Sequence, residues 1–362
     1  MLKQIRRLLI SVVILMLFSI STPLSAKAVT IDPRYRGLAL EVCQVTDAID
    51  PTFESDSVDL GITPTGWSNS DDTSIDLDPP IAYQQILSEM QLTDFKGSQV
   101  SPKYPQDINI LHDELKLRDL KISEPWVGTK FTTEKGKVTK KIFHEQMDYM
   151  KSLGDMASNV IVVAELGGAV HQLPVEPLNN RPIFSDEQWN KLTKGLNEIG
   201  KEAHEAGMRL VYHPHVGTGV ETAEDIDRLM ENTNPKYVKL LLDTGHLYYA
   251  GADPLKVTEK YAHRIGHVHL KNIRQDKLDY SKQNKLSFIN SIKEGVFTVP
   301  GDCTGVIDFE PIFQTLADFK YKGESKAYKG WLVVEAEQDP NKAEPLLYAT
   351  TARNYLRQVT GL

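Results

Sequence analysis

The sequence RLVYHPHVGTG at Arg209–Gly219 is followed by two segments of the same kind, VKLLLDTGHL at Val238–Leu247 and RIGHVHLKN at Arg264–Asn272. A fourth segment, GWLVVEAEQD at Gly330–Asp339, lies near the C-terminus. Each contains an apolar, β-branched run of strand length that leads into His, Asp or Glu. Side chains of these types at the carboxyl ends of parallel strands form the catalytic face of a (β/α)8 barrel. The four segments therefore predict a barrel with a site at one end.

Segments of strand type alternate with helical patterns along most of the chain. The strand segments are Val58–Thr63, Gly97–Val100, Lys121–Val127, Asn159–Ala164, Arg209–His213, Tyr237–Leu242, Ile265–Leu270 and Trp331–Glu335. Helical patterns between them include Pro80–Leu92, Thr139–Ala157, Asp186–Ala206 and Thr222–Asn232. This alternation predicts a parallel sheet, and the strongly apolar strands favour a closed TIM barrel over an open sheet. Residues 58–362 are therefore predicted to form a single α/β domain of this class.

The first 28 residues have the features of a secretory signal peptide. A basic start precedes the apolar run Leu8–Ile20, and Ser25–Ala28 supplies an Ala-x-Ala cleavage site. The run has 13 residues, which is short against the roughly 20 that span a bilayer. An uncleaved membrane anchor is the alternative. Both interpretations predict that the protein is exported, as a secreted, periplasmic or anchored domain.

The charge of the chain bears on its partners. Removal of residues 1–28 takes away four positive and no negative charges, so the formal net charge of −8 becomes −12. A surface this acidic is poorly suited to DNA or RNA. It suits a small neutral or cationic molecule, so no nucleic-acid partner is expected. Homo-oligomers are common among such barrels, but the sequence does not fix an oligomeric state.

Two segments lie outside the strand–helix rhythm. Residues 29–57 form an acidic N-terminal extension that we interpret as a loop or strap. Arg274–Asp308 is a long connection after the seventh strand, and connections of this length on an active face are usually functional, often as lids. Each segment contains one of the two cysteines, Cys43 and Cys303. A disulfide and two free thiols both remain open.

Several polar pairs follow the apolar strands. Residues two apart in a strand face the same way, which pairs His213 with His215, His267 with His269, and Glu335 with Glu337. Asp243 directly follows another apolar run, and His246 lies one turn further on. A single strand-end histidine is more often a hydrogen-bonded structural residue than a metal ligand. Buried charges need a cation or a partner, however, and convergence from four neighbouring strands favours a divalent metal site.

The chemistry of this set constrains the metal and the reaction. Mixed nitrogen and oxygen donors suit manganese, cobalt, zinc or ferrous iron, and no thiolate is present to select zinc. Such a metal polarises a carbonyl and stabilises an enediolate. That chemistry fits isomerisation, epimerisation or dehydration next to a ketone.

The strand-end motifs resemble the xylose isomerase-like TIM-barrel superfamily and, within it, the inosose dehydratases. The motifs are HPHVGTG at His213–Gly219, LDTGHL at Leu242–Leu247 and HVHLK at His267–Lys271. Further agreement comes from GITPTGWSN at Gly61–Asn69, KYP at Lys103–Pro105, NRP at Asn180–Pro182, GVFTVPGD at Gly295–Asp302 and WLVVEAEQD at Trp331–Asp339. The resemblance covers about residues 59–357. The DTGH motif marks only the superfamily, whereas its combination with FTVPGD and EAEQD is much narrower.

The resemblance implies roles for particular residues. The metal ligands would be His215, Asp243, His269 and Glu335. Manganese or cobalt would be the cofactor, with zinc or ferrous iron as alternatives. Acid/base work would fall to Glu165, His246 and Lys271, although Glu165 has an equal claim as a salt-bridged structural carboxylate. Contacts to substrate would come from Trp67, Lys103, His213 and Glu337.

The implied activity is a metal-dependent β-elimination of water from a keto-polyol such as 2-keto-myo-inositol, the reaction of a hydro-lyase. Two alternatives remain: an isomerase or epimerase acting on a keto-sugar, and a non-catalytic exported sugar-binding barrel. The chain departs from the family pattern at Gln99, where an acid is usual, and at Asn272, where aspartate is usual. The turn after Asp302 is enlarged by Cys303 and Thr304.

Overall fold

A parallel sheet forms the centre of the molecule. The computed structural model describes residue 53 and residues 56–362. Within this part, the sheet strands are β1 Val58–Ile62, β2 Gly97–Gln99, β3 Lys121–Glu124, β4 Trp126–Thr129, β5 Val160–Glu165, β6 Arg209–Tyr212, β7 Val238–Asp243, β8 Ile265–Leu270 and β13 Gly330–Val334. Two short hairpins are added by β9 Asn272–Ile273 with β10 Phe297–Thr298, and by β11 Phe319–Tyr321 with β12 Glu324–Lys326.

The sheet closes at Pro125. Its nine strands follow the order β3-β2-β1-β13-β8-β7-β6-β5-β4, and the two end strands are separated only by Pro125 in the chain. The carbonyl of Glu124 accepts from the Val100 N–H on one side, and the carbonyl of Pro125 accepts from the Val162 N–H on the other. Proline has no N–H to continue a ladder, so the pairing changes partner here. The predicted single α/β TIM barrel is confirmed as a nearly closed parallel sheet.

Helices cover the outside of the sheet. In the described part they are α1 Tyr83–Leu92, α2 Ile108–Leu117, α3 Gly136–Ser152, α4 Pro177–Asn180, α5 Asp186–Glu205, α6 Ala223–Glu231, α7 Thr244–Tyr249, α8 Pro254–Tyr261, α9 Gln275–Gln283, α10 Phe288–Glu294, α11 Glu310–Ala317 and α12 Pro345–Thr360. The start of α5 is fixed by a capping box between Ser185 and Gln188. This agrees with the predicted helix Asp186–Ala206 to within one residue.

Two apolar layers decide which side chains reach the barrel interior. Val160, Val162, Val211 and Leu241 form a small separate cluster inside the barrel. Alternate residues of the same strands, such as Ile161 and Val163, belong to the large cluster between the sheet and the helices. Because side chains alternate along a strand, the residues two positions beyond Val211 and Leu241 continue the inward face.

Several predictions concern the N-terminal segment. The predicted signal peptide, residues 1–28, lies outside the described residues, as does the predicted extension except for its last few residues. Among the helices that the structure describes, none combines the length and the apolar character needed to cross a bilayer. Cys303 is disulfide-bonded, while Cys43 lies outside the described residues.

Candidate active site

Four buried side chains meet where the last barrel strands end. His213 directly follows β6, Asp243 ends β7, His269 lies in β8 and Glu335 directly follows β13. Nε2 of His213 lies 3.4 Å from Oδ2 of Asp243. Nδ1 of His269 lies 3.7 Å from the same oxygen and 3.3 Å from Oε2 of Glu335.

These four nitrogen and oxygen atoms are buried, and none of them makes a hydrogen bond within the part of the chain that the structure describes. Oε2 of Glu335 does form an ion pair with Lys271. Buried polar atoms are almost always hydrogen-bonded, so two imidazole nitrogens and two carboxylate oxygens packed together without hydrogen bonds need an explanation. A cation bound between them supplies one, and the donor set is of the kind that divalent transition metals prefer. The residues therefore fit the predicted type of metal site.

The two histidines of the HPH motif exchange the places that the sequence predicted for them. His213, predicted to contact substrate, groups with Asp243 and His269, whereas the predicted ligand His215 groups with His246 and Glu337. The reason is local: β6 ends at Tyr212, so His213 still continues the inward face beyond Val211. Nδ1 of His215 instead faces its own loop, 2.8 Å from the Val216 carbonyl. In this structure His215 thus lies in a neighbouring buried cluster with His246 and Glu337, whose donor atoms could also hold a metal, and its role as a ligand stays a prediction.

The ring of His213 is held from the other side by a tryptophan. The indole N–H of Trp126 donates to Nδ1 of His213 over 3.1 Å. Burial lowers the pKa of His213, so the ring is neutral and, with Nδ1 accepting, carries its proton on Nε2. Nε2 is the nitrogen that faces Asp243.

A buried lysine lies beside the ligand group. Nζ of Lys271 is 2.7 Å from Oε2 of Glu335, 2.6 Å from Oε2 of Glu337 and 3.0 Å from Nε2 of His246. Burial alone would lower the pKa of Lys271, but Asp243, Glu335 and Glu337 raise it above its usual value. The side chain is therefore a fixed positive charge in the site. The predicted acid/base residues His246 and Lys271 thus lie together, next to the predicted ligands.

The DTGH motif has a local explanation. The carboxylate of Asp243 accepts from the His246 N–H over 2.8 Å and caps α7. The Thr244 hydroxyl donates to the Lys271 carbonyl over 2.7 Å. Gly245 leaves room for the lysine, because a Cβ there would lie 2.4 Å from Cγ of Lys271. The motif therefore holds His246 and Lys271 against each other.

The other titratable side chains beside Lys271 are shifted in opposite directions. Burial and the neighbouring Glu335 raise the pKa of Glu337 to about 8, although Lys271 opposes the change. Burial lowers the pKa values of His215 and His246 well below the ordinary imidazole range. At neutral pH His215 and His246 are therefore neutral imidazoles beside a carboxyl group that is easily protonated. His269 differs, because burial would lower its pKa but Asp243, Glu124 and Glu335 raise it well above its usual value.

Glu124 is a site residue that the sequence reasoning missed. It ends β3 and is fully buried. Its Oε1 is 3.2 Å from Nε2 of His269 and hydrogen-bonds to it, while its Oε2 is 3.2 Å from Nε2 of His267. Burial would raise the pKa of Glu124, but the two imidazoles lower it to about 2. The only signal in the sequence was an acidic residue inside the predicted strand Lys121–Val127. Strand alternation would have placed Glu124 on the outer face of Ile122, but a register irregularity between β2 and β3 intervenes there.

Glu165, the predicted acid/base residue, lies apart from this group. Its oxygens accept from the hydroxyls of Thr129 and Thr132, each over 2.8 Å, and from the N–H groups of Phe131, Thr132 and Gly167. Glu165 shares the strand face of Val163, which belongs to the outer apolar cluster. Its alternation along β5 turns it away from the barrel interior. These contacts are those expected if Glu165 is a structural carboxylate, which is the alternative to an acid/base role.

A cavity opens onto the ligand group. It has a volume of about 460 Å³, within the range typical of small-molecule sites. His213, His215, Glu335 and Glu337 line one end of it. The other walls combine polar residues with apolar ones, and they include Ser70, Asp71, Gln99, Ser101, Gln106, Gln146, His171, Val100, Pro102, Pro105, Pro125, Trp126 and Tyr149. Such a mixed wall suits a ligand that has both hydroxyl groups and a carbon ring.

Two residues predicted to contact substrate do not line this cavity. The indole N–H of Trp67 donates to Oε2 of Glu89 over 2.5 Å, and the side chain is buried. Nζ of Lys103 forms an ion pair with Oδ2 of Asp76 at 2.9 Å and lines a small neighbouring cavity. The structure thus brings His213 and Glu337 to the main cavity, but not Trp67 or Lys103.

The predicted long connection packs over the site. The ring of Phe288 stacks on His246 with centroids 5.7 Å apart, and Phe297 contacts the same imidazole edge-on at 5.9 Å. Asn272, one of the departures from the family pattern, accepts from the Ile307 N–H over 2.8 Å and fastens this connection. The other departure, Gln99, lines the main cavity. The connection therefore shields the imidazole side of the site from solvent.

Comparison with known proteins places these observations in a family context. A model of the family described as xylose isomerase-like TIM barrel matches residues 83–359. An inosose dehydratase of Clostridium tetani is 46% identical over 311 residues, which are 86% of this chain and 100% of that relative. An inosose dehydratase of Bacillus cereus is 44% identical with the same coverage.

Solved structures resemble the chain at lower identity. The IOLI protein with a bound zinc atom has a TM-score of 0.57 at 15% identity, covering 84% of this chain and 98% of that chain. L-ribulose 3-epimerase has a TM-score of 0.58 at 18% identity, covering 83% of this chain and 94% of that chain. These similarities support the fold alone.

Proposed function

This chain belongs to the xylose isomerase-like TIM-barrel family, in its inosose dehydratase branch, and we propose that it is a hydro-lyase that removes water from inosose or a closely similar keto-polyol. The support is identity of 44–46% along the whole length of relatives that bear this name. The matched residues 83–359 include every member of the ligand group.

We further propose that the reaction needs a divalent metal held by His213, Asp243, His269 and Glu335. The observation that carries this proposal is the convergence of four buried donor atoms without hydrogen-bond partners. When bound, such a metal acts as a Lewis acid toward the substrate carbonyl. His213 would hold the metal through Nε2 only in the tautomer that carries its proton on Nδ1, whereas the hydrogen bond from the indole N–H of Trp126 favours the other tautomer in the metal-free site.

Glu337 is the residue that we propose exchanges protons with the substrate. It lines the cavity next to Glu335, and Lys271 holds one of its oxygens at 2.6 Å. Loss of water breaks a C–H bond next to the ketone and a C–O bond one carbon further on. One carboxylate can take the proton and return it to the departing hydroxyl. The proton and the hydroxide leave together as water, so no other reactant is needed.

The neighbours of Glu337 have supporting parts in this scheme. Lys271 and His246 contact it from the buried side, His246 at 3.7 Å, and fix its orientation. His215 presents a neutral ring to the cavity and binds a substrate hydroxyl. Glu165, with its oxygens occupied by local donors, holds the turn after β4 rather than moving protons.

The test is turnover followed by mass. The purified chain is loaded with manganese or cobalt and incubated with 2-keto-myo-inositol, beside a sample stripped with chelator. We expect a product lighter by one water only in the loaded sample, and no product with Asp243→Asn. A product of unchanged mass with exchange of the hydrogen next to the ketone would replace the lyase by an epimerase. Metal binding without any reaction on keto-polyols would leave a binding protein.

We also propose that the enzyme works outside the cytoplasm. The support is the predicted signal peptide at residues 1–28. The disulfide at Cys303 fits an oxidising compartment. N-terminal sequencing of the protein from separated cell fractions tests this. A cytoplasmic protein that starts at Met1 would contradict export.

A further inference from the structure

We propose that Glu124 is a positioning residue that fixes the ring orientation and tautomer of His269, so that Nδ1 of this imidazole is presented to Asp243 and Glu335. This inference rests on the proposed metal site. It concerns a carboxylate outside the donor group, on the opposite side of the barrel from it in the sheet order.

The tautomer follows from the hydrogen bond. An ionised carboxylate only accepts, so the bond of 3.2 Å between Oε1 of Glu124 and Nε2 of His269 places a proton on Nε2. Burial would lower the pKa of His269, but Asp243, Glu124 and Glu335 raise it well above its usual value. With Nε2 directed at Glu124, Nδ1 is the nitrogen whose lone pair can bind a cation in place of its own proton. That atom lies 3.3 Å from a Glu335 oxygen and 3.7 Å from an Asp243 oxygen, and it has no hydrogen-bond partner in the described part of the chain. The lone pair thus faces the proposed cation.

The surroundings of Glu124 keep it in this role. The carboxylate is fully buried, and its second oxygen lies 3.2 Å from Nε2 of His267. A buried carboxylate is costly unless both oxygens are compensated. The two imidazoles of β8 provide this compensation, since they stand two residues apart on the inward face. The carboxylate therefore cannot rotate away from His269 without leaving a charge unpaired.

A carboxamide cannot replace this arrangement. The amide of Glu124→Gln is uncharged and has one acceptor and one donor group, so it cannot keep both the hydrogen bond to His269 and the ion-pair contact of 3.2 Å with His267. One of the two rings must then change its tautomer or rotate. Partners of this kind typically change metal affinity by about 10- to 100-fold. We expect a loss in that range for cobalt binding by the variant.

The experiment compares two carboxylates of the same barrel. Cobalt affinity and unfolding midpoint are measured for the native full chain, for Glu124→Gln and for Glu165→Gln. Glu165 is equally buried and loses the same charge, but it is satisfied by local donors and joins no ligand. We expect weakened cobalt binding only in Glu124→Gln. The imidazole nitrogen spectrum of the protein labelled with nitrogen-15 should also show the Nε2 proton of His269 lost or displaced only in this variant.

The outcomes separate this inference from the proposed function. Native cobalt binding with unchanged affinity in Glu124→Gln would overturn the positioning role and leave the metal site intact. An equal loss in Glu165→Gln, in step with the unfolding midpoints, would also overturn it. Two cobalt ions per chain would make Glu124 a ligand rather than a positioning residue. Absence of binding by the native chain would refute the metal site itself.

Two further variants secure the result. Should Glu124→Gln not fold, Glu124→Asp keeps the charge but shortens the side chain, and the same direction of change is expected. His267→Gln keeps an N–H that can donate to Glu124 and leaves the bond to His269 in place. Its cobalt affinity should stay close to the native value. A loss as large as that of Glu124→Gln would contradict action through His269.

Discussion

Replacement of Lys271 by methionine tests the electrostatic balance of the site most directly. The lysine is fully buried, and its Nζ lies 2.7 Å from Glu335, 2.6 Å from Glu337 and 3.6 Å from Asp243. Methionine retains most of the apolar stem but removes the ammonium group, whose Nζ lies 4.9 Å from the centroid of the Phe297 ring. The substitution thus removes one positive charge among three carboxyl groups while changing the packing little.

The magnitude follows from the cost of unpaired buried charge. Removing one partner of a buried ion pair typically costs about 3–5 kcal/mol, so we expect the metal-free Lys271→Met variant to lose that amount of unfolding free energy. A divalent cation bound to Asp243 and Glu335 compensates the same charges. The variant should therefore recover more stability from added metal than the native chain does. At 100 times the dissociation constant, binding alone contributes about 2.7 kcal/mol.

The pH dependence has a defined sign. Glu337 has a pKa raised to about 8, so between roughly pH 4.5 and 8 the folded chain binds more protons than the unfolded chain. Stability contributed by this group is present at low pH and is lost as the pH rises through that window. Without Lys271 the pKa of Glu337 rises further, so the loss in the variant should be larger at pH 8 than at pH 5.

The assay is denaturant unfolding of the native chain and of Lys271→Met, each with chelator and with saturating cobalt, at pH 5 and pH 8. Lys282→Met is the control for loss of a lysine charge, because this lysine is exposed and lies outside the cluster, near the ring of Tyr249. If Lys271→Met loses no more stability than the control in chelator, the lysine does not balance the three carboxyl groups. If added cobalt stabilises the variant no more than the native chain, the proposed sharing of charge is refuted.

Three other predictions address single residues. Glu337→Gln should lower kcat by about 10²- to 10⁴-fold, as expected for loss of an acid/base group. Steady-state kinetics and metal analysis should show that KM and metal content are little changed. A large rise in KM alone would contradict a proton-transfer role. Glu165→Ala should lower the unfolding free energy by at least about 3 kcal/mol, because several buried donors lose their acceptor. An unchanged denaturation curve would argue against a structural role for Glu165. Burial raises the pKa of Glu221 to about 8, although the Gly217 N–H and Arg181 oppose the change. The stability of the native chain should therefore fall between about pH 5 and pH 8. In Glu221→Gln the thermal unfolding midpoint should depend less on pH across this range, and an unchanged pH dependence would contradict the raised pKa.

The barrel was predictable from sequence because its signals are repeated. Each of the last four strands combines an apolar run with a polar end. The DTGH motif around Asp243 resembles the whole superfamily, and its combination with EAEQD around Glu335 resembles a much narrower group. Three of the four predicted ligands, Asp243, His269 and Glu335, converge in the structure. These positions follow strands whose ends are well marked by sequence.

The structure differs from the sequence prediction where a shift of one or two residues changes the direction of a side chain. His213 and His215 differ by two positions, and only the place where β6 ends decides which of them faces Asp243. Glu165 ends an apolar strand as Asp243 does, but it falls on the outer face of β5. Glu124 was overlooked because it precedes a proline in the middle of a predicted strand. Contacts across the barrel, such as that between Glu124 and His269, are not encoded in local spacing.

The break at Pro125 has a consequence for the dynamics of the molecule. The residues on either side of it hold the two histidine rings of the ligand group, Glu124 by contact with His269 and Trp126 by contact with His213. The same break is the seam where strand pairing passes from one neighbour to the other. Local opening events occur where backbone pairing is weakest. A single opening of this seam would therefore release both rings together. Amide hydrogen exchange at Val100 and Val162 would then report how often the two rings are released.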